Sequence, residues 1–317
     1  MRITTKLINM LSNLTKRLIT IITLCILISC NKNLIPSIDD SQVINVCATV
    51  TTLSKAGYES TTTLPEKFLI NINQGPDSKF NYSLIEMQKQ SNNSYTAEDQ
   101  LIWDSDDHST VSIKAMTIPY GLSSVDFSGP MAINICVGQN SERNIIQSDV
   151  LGVSSGNGVT IDGNTVHLGF NHLMSKLEVI YEFGAGFDES QIDINAIFLN
   201  NICVRGGYNY SLMDYDSSID LDYGNITMFH SSSEQKAEAI FYPYTPTENP
   251  TLTINATISG IEYEFSCPVV SNDNNGFIGG KRYKMNVAII GNDIAETSAS
   301  IAAGWDTDTE NQDCFTE

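Results

Sequence analysis

Apolar residues recur at every second position through most of this chain, and runs with helical spacing are scarce. Ile44, Val46, Ala48 and Val50 fall on one face of a predicted strand, with Asn45, Cys47 and Thr49 on the other. Phe68, Ile70 and Ile72 alternate with Leu69, Asn71 and Asn73. Val111, Ile113 and Ala115 alternate with Ser112 and Lys114, and Ile133, Ile135 and Val137 with Asn134 and Cys136. Further strands are predicted at 177–183, 192–199, 237–242, 252–258, 261–265 and 283–289. Turn residues punctuate them. Asp162-Gly163 and Ser259-Gly260 each join two runs as a hairpin, since glycine tolerates the positive φ of a tight turn.

Many short strands at short spacing predict an all-β chain of β-sandwich-like or barrel-like domains. The Gly/Ser-rich stretch Ser148 to Gly158 reads as a crossing between two domains that meet near residues 158–170. The acidic tail from Asp306 is expected to be disordered.

The N-terminus departs from this pattern. Leu18 to Ile28 is an uncharged apolar run, preceded by Arg2, Lys6, Lys16 and Arg17, with no acidic residue before Asp39. A basic region, a short apolar region and small residues before a cut describe a secretory signal. The run is too short for the roughly 20 residues of a spanning helix. Leu27-Ile28-Ser29-Cys30 places a cysteine directly after the cut, as in a bacterial lipobox. Residues 1–29 are therefore read as a lipoprotein signal peptide and Cys30 as the lipidated N-terminus; the plainer alternative is an ordinary signal peptide with an incidental cysteine.

Charge then narrows the partners. Four of the 17 basic residues and none of the 37 acidic ones precede Cys30, leaving 13 basic against 37 acidic residues. That argues against nucleic acid and against direct contact with anionic headgroups. Of seven cysteines, Cys25 leaves with the signal and Cys30 is lipidated; Cys47, Cys136, Cys203, Cys267 and Cys314 remain. They form no CxxC and no close pair, so neither a disulfide framework nor a zinc site is indicated. Buried free thiols are the expectation for Cys47, Cys136 and Cys203.

Candidate chemistry is sparse. Gly152-Val153-Ser154-Ser155-Gly156 matches a nucleophile elbow, but that motif needs a helix after the serine and another strand follows here. His108, His167, His172 and His230 lack metal-ligand spacing. Asp104-Ser105-Asp106-Asp107 and the cluster Asp216, Asp220, Asp222 lack the glycine and closing glutamate of a calcium loop and read as solvated turns. Trp103 and the tyrosines are read as core or cross-strand pairs, with a sugar-stacking surface as the alternative. No catalytic, cofactor-binding or metal-binding residue is assigned, and an enzyme is not expected.

Several segments, taken in order, resemble the fimbrillin family, the lipoprotein pilins of type V pili. They are Leu53-Ser54-Lys55-Ala56-Gly57-Tyr58-Glu59 with 61–68 after it, and Leu101-Ile102-Trp103 followed by Val111 to Ala115 and Ile118-Pro119-Tyr120. Phe170-Asn171-His172-Leu173-Met174-Ser175-Lys176-Leu177, Gly280-Lys281-Arg282-Tyr283 and Ile301 to Trp305 complete the series. The resemblance implies two β-sandwich-like domains, 30–164 and 165–317, and a structural stalk or anchor subunit of a cell-surface fimbrium that contributes to adhesion. It implies lipid anchoring in the outer membrane and partners that include other pilus subunits, a processing protease and a host surface ligand, with no cofactor. It further implies that a first strand, carrying Ile44, Val46, Ala48 and Val50, is removed by cleavage between Lys55 and Ala56. Loss of that strand opens a groove that a neighbouring subunit's strand refills. The family commonly has arginine at the cut, so two readings of Lys55 stand: a processing site, or a surface lysine in an uncut anchor. A monomeric glycan-binding surface lipoprotein is the alternative function.

Overall fold

Period-two alternation becomes strand almost wherever it occurs. The computed structural model describes residues 42–50, 64–90, 94–184, 187–271 and 276–290, with the backbone of 293–294 and 298–302. The first half holds β1 (Asn45–Val50), β2 (Lys67–Asn73), β3 (Tyr82–Lys89), β4 (Ser94–Thr96), β5 (Ser112–Met116) and β6 (Pro130–Asn134). A short helix α1 (Glu142–Ser148) follows, then β7 (Leu151–Ser154), β8 (Val159–Asp162) and β9 (Thr165–His172). The second half holds β10 (Ser175–Phe183), β11 (Ile192–Asn209), β12 (Asp214–Asp216), β13 (Asp222–Thr227), β14 (Phe229–Ser231) and β15 (Lys236–Phe241). It ends with β16 (Thr251–Ile258), β17 (Ile261–Pro268), β18 (Val270–Ser271), β19 (Arg282–Ile290), β20 (Asp293–Ile294) and β21 (Ser298–Ala302).

These strands form three sheets. The first runs β1-β4-β3-β2-β5-β7-β9-β8, and β1 pairs with β9 as well as β4. That second pairing closes seven strands into a ring, so the first sheet is barrel-like and presents no free edge at β1. The second sheet runs β14-β15-β10-β19-β21-β18, with β20 on β19. The third runs β12-β11-β16-β17, with β13 and β6 also on β11.

Two hydrophobic clusters fill the described residues from Ile44 onward, which form one compact unit. One lies inside the ring and includes Ile44, Val46, Phe68, Ile70, Trp103, Leu168 and Phe170. The other lies between the second and third sheets and gathers Leu177, Val179, Ile197, Phe241, Ile254 and Met285. Residues of the first half, such as Ile133 and Ile145, reach into this second cluster, and β6 pairs with β11.

The structure adds to the sequence reading in four places. The stretch 148–158 holds the end of α1, then β7, then a tight turn in which Gly156 and Gly158 both sit at φ +85°, and Val150 packs in the second cluster while Leu151 packs in the first. A Cβ on Gly158 would lie 2.3 Å from the Gly169 carbonyl oxygen, so only glycine fits the seam between β8 and β9. The expected boundary at 164 and 165 falls in the β8–β9 turn, where Asp162 pairs with Thr165. Val137 does not continue β6: the strand stops at Asn134, and Val137 is exposed while its carbonyl accepts from the Thr227 N–H at 2.8 Å. Finally, β11 runs on past Leu199 to Asn209, helped by a bulge at Asn201, whose φ is +56°.

Candidate functional site

The residues read from sequence as a removable strand occupy the position that closes the ring. β1 lies parallel to β9 over its whole length, from Asn45 beside Thr165 to Val50 beside Phe170. Among the described residues its other edge pairs with β4 at two positions, Val46 beside Tyr95 and Cys47 beside Ser94. Two backbone bonds fix its entry: the Ile44 N–H donates to the Leu101 carbonyl at 2.9 Å and the Asn45 N–H to the Asn164 carbonyl at 2.9 Å.

The side chains divide as the alternation requires. Ile44, Val46, Ala48 and Val50 are buried in the ring, while Asn45 and Thr49 are exposed and Cys47 is half-buried. Beneath them Phe68 packs against Tyr95 at 4.7 Å and against Phe170 at 5.0 Å between ring centroids. The Tyr95 hydroxyl donates to the Pro65 carbonyl at 2.7 Å, which fixes that ring. Burying three branched aliphatic side chains and one alanine is worth about 1.5–3 kcal/mol for each larger one. β1 is thus held by an apolar face and by backbone bonds that any strand can make.

Two of the segments that carried the family resemblance meet where the chain leaves the ring. The Gly280 N–H donates to the Met174 carbonyl at 2.9 Å, the Ser175 hydroxyl to the Ile278 carbonyl at 2.9 Å, and the Lys176 N–H to the Lys281 carbonyl at 3.0 Å. Gly280 sits at φ +71°, and a Cβ there would lie 2.9 Å from the His172 carbonyl oxygen. His172 places Nδ1 2.8 Å from an Asp149 carboxylate oxygen, and both side chains are buried.

A buried ionic row lies next to this junction, and the sequence reading missed it. Lys176 Nζ is 3.1 Å from Glu238; Lys236 Nζ is 2.7 Å from Glu238 and 2.9 Å from Glu178; Arg282 approaches Glu178 at 3.9 Å. Glu178 and Glu238 stand directly opposite across β10 and β15, a pairing that repels unless cations intervene. Burial drives the Lys176 ammonium below its usual range, against the pull of Glu238. Burial opposes ionisation of Glu178 too, but Lys236, Arg282 and Lys176 together hold it below the ordinary carboxylate value. The signal in the sequence was charge at alternate positions of apolar strands: Lys176 and Glu178, and Lys236 and Glu238.

The remaining candidates are structural. Ser154 ends β7 and accepts the Asn157 N–H at 2.9 Å in a turn, and the Ser155 hydroxyl accepts the Ile113 N–H at 2.7 Å. Asp107 and Asp216 accept the backbone N–H groups of Ser109 and Ser218, and Asp222 pairs with Arg205 at 2.9 Å. Among the described residues no group of three or more His, Cys, Asp or Glu side chains could hold a metal ion. Trp103 is buried in the ring, 4.2 Å from the His108 ring, and offers no sugar-stacking surface. Cys47, Cys136, Cys203 and Cys267 are free thiols; burial pushes Cys203 and Cys267 up to about 12. Cys30, Lys55, Ala56 and Trp305 lie outside the described residues. Among the described residues no helix is long and apolar enough to cross a membrane.

A family model described as fimbrillin-like matches residues 37–305. The fold is similar to that of a proposed cell adhesion protein from Bacteroides uniformis, with a TM-score of 0.59 at 16% identity over 83% of this chain and 98% of that one. It is also similar to a proposed cell adhesion protein from Bacteroides ovatus, with a TM-score of 0.59 at 13% identity over 85% of this chain and 99% of that one. No curated protein sequence matches.

Proposed function

Because the chain belongs to the fimbrillin-like family, we propose that it is a stalk or anchor subunit of a fimbrium, assembled by exchange of the strand that closes its ring. The family is one of structural proteins rather than enzymes, and it places the chain at the cell surface in an adhesion-related role. The observation that carries the finer reading is the seat of β1. The first strand of the described residues closes the ring through an apolar face and backbone bonds. If it leaves, β9 and β4 present unpaired edges over an open apolar groove, which a strand from another subunit can fill.

In this reading Cys30 carries the lipid that holds the precursor at the outer membrane, and two or more acyl chains make that anchoring stable. Cleavage between Lys55 and Ala56 frees β1 from the rest of the chain. The two hydrophobic clusters support a division into two β domains, with β6 and α1 of the first half packed into the second. The test is N-terminal sequencing of the protein recovered from filaments, seen by negative-stain microscopy. Chains beginning at Ala56 support processing. Filaments built only of chains with a blocked, lipidated Cys30 show that cleavage is not the trigger and that the chain serves uncut, as an anchor.

A further inference from the structure

The seat of β1 is uneven along its length. Its inward positions run large, large, small, large: Ile44, Val46, Ala48, Val50. The neighbouring β9 places Val166 beside Val46, Leu168 beside Ala48 and Phe170 beside Val50, all buried. Residues paired across neighbouring strands face the same side, so the small Ala48 lies beside the bulk of Leu168. Phe170 is packed on Phe68, and Phe68 on Tyr95, whose hydroxyl is tied to Pro65. These rings are buried inside the closed sheet, and interiors packed at crystal density lack slack for added methylenes.

We infer that the seat is size-selective at its third inward position. It accepts a strand of another polypeptide, running in the direction of β1, that carries bulky aliphatic side chains at the first, second and fourth inward positions and alanine or smaller at the third. This rests on the reading of β1 as a replaceable strand. The same pattern recurs in β16, where Leu252, Ile254, Ala256 and Ile258 alternate with Thr253, Asn255 and Thr257, and all four apolar side chains are buried in the other core. A peptide of residues 252–258 therefore fits the seat as one of residues 44–50 does, although the two share few residues.

The experiment uses the full chain with a sequence-specific protease site inserted between residues 51 and 63, cleaved after folding. Labelled peptides of sequence 44–50 and 252–258, flanked by lysines for solubility, are offered together with their Ala48→Leu and Ala256→Leu forms. Fluorescence anisotropy reads their uptake, and a scrambled 44–50 peptide sets the background. Both parent peptides are expected to enter and both leucine forms to bind at least about fivefold more weakly. Leucine forms that enter as well as their parents overturn the size filter while leaving strand replacement standing. Rejection of 252–258 with uptake of 44–50 overturns the claim that this pattern suffices. If no peptide enters, 44–50 included, the replaceable strand itself is disproved and the filter falls with it.

Discussion

β1 and β10 are each a member of a parallel pair in a largely antiparallel molecule, and they are held in opposite ways. β1 rests on β9 through six paired residues, two of which also pair with β4 among the described residues, and turns a neutral outer face of Asn45, Cys47 and Thr49 away from the core. β10 is paired over eight residues with β19 and over six with β15, and its outer face carries Lys176 and Glu178 into the buried ionic row. That face is buried, and at the edge of β15 the buried Gln139 side chain donates to the Ile240 carbonyl at 2.6 Å and accepts its N–H at 2.8 Å. A strand held by shape and backbone alone can be replaced by another of similar shape. A strand keyed by buried charges cannot, because any substitute leaves an unpaired ion behind. On the proposed function, the ring is the part that reopens and the second sheet the part that stays.

The largest expected effect lies in the keyed region. Lys176→Ala strips a cation from the buried Glu238 and should cost about 3–5 kcal/mol in chemical denaturation. A loss below about 1 kcal/mol would show that the row does not lock β10. At the seam of the ring, Gly158→Ala should cost roughly 3 kcal/mol, since it combines a positive φ with a clash against the Gly169 carbonyl. In β1, Val46→Ala should cost only about 2 kcal/mol, by the methyl groups and the cavity. It should also speed loss of β1 in hydrogen exchange while leaving β10 protected.

How much of this contrast was legible in the sequence follows from the range of the interactions. The buried face of β1 is a local pattern, so Ile44, Val46, Ala48 and Val50 could be read directly. The closure of the ring could not, because it pairs residues 45–50 with 165–170 in parallel, and no local signal records a partner so distant. The ionic row hid for a related reason: Lys176 and Glu178 alternate with apolar residues as a solvent face would, and only the fold reveals that they are buried. α1 escaped notice because seven residues with one fully buried isoleucine, Ile145, give almost no helical period. Gly206 likewise gave no sign that the Tyr242 ring lies where its Cβ would be.

The smallest expected effect is on the exposed side of the ring, where Lys67 and Glu86 pair at 2.9 Å across β2 and β3. The hydrogen bond from Lys67, with help from Gln88, holds the Glu86 carboxyl below its usual value of 4.5. Its contribution is therefore present above that value and is lost as pH falls through the lower folded value. Both groups are well exposed, so solvent screening should keep the cost of Glu86→Gln below about 1 kcal/mol and let salt reduce it further. A larger, salt-independent loss would contradict the view that the ring is held mainly by its interior.

The proposed replacement of β1 is tested most directly by locking the strand in place. Cys47 and His167 are register partners on the outer face of β1 and β9, within the reach of a disulfide. In the variant H167C, oxidation should tie β1 to β9 without touching the core. Filaments should then be absent from the cell surface in negative-stain images and return when the bond is reduced. Filaments of normal number and length, built from subunits in which mass spectrometry finds the bond to Cys47 intact, would show that assembly does not pass through release of β1.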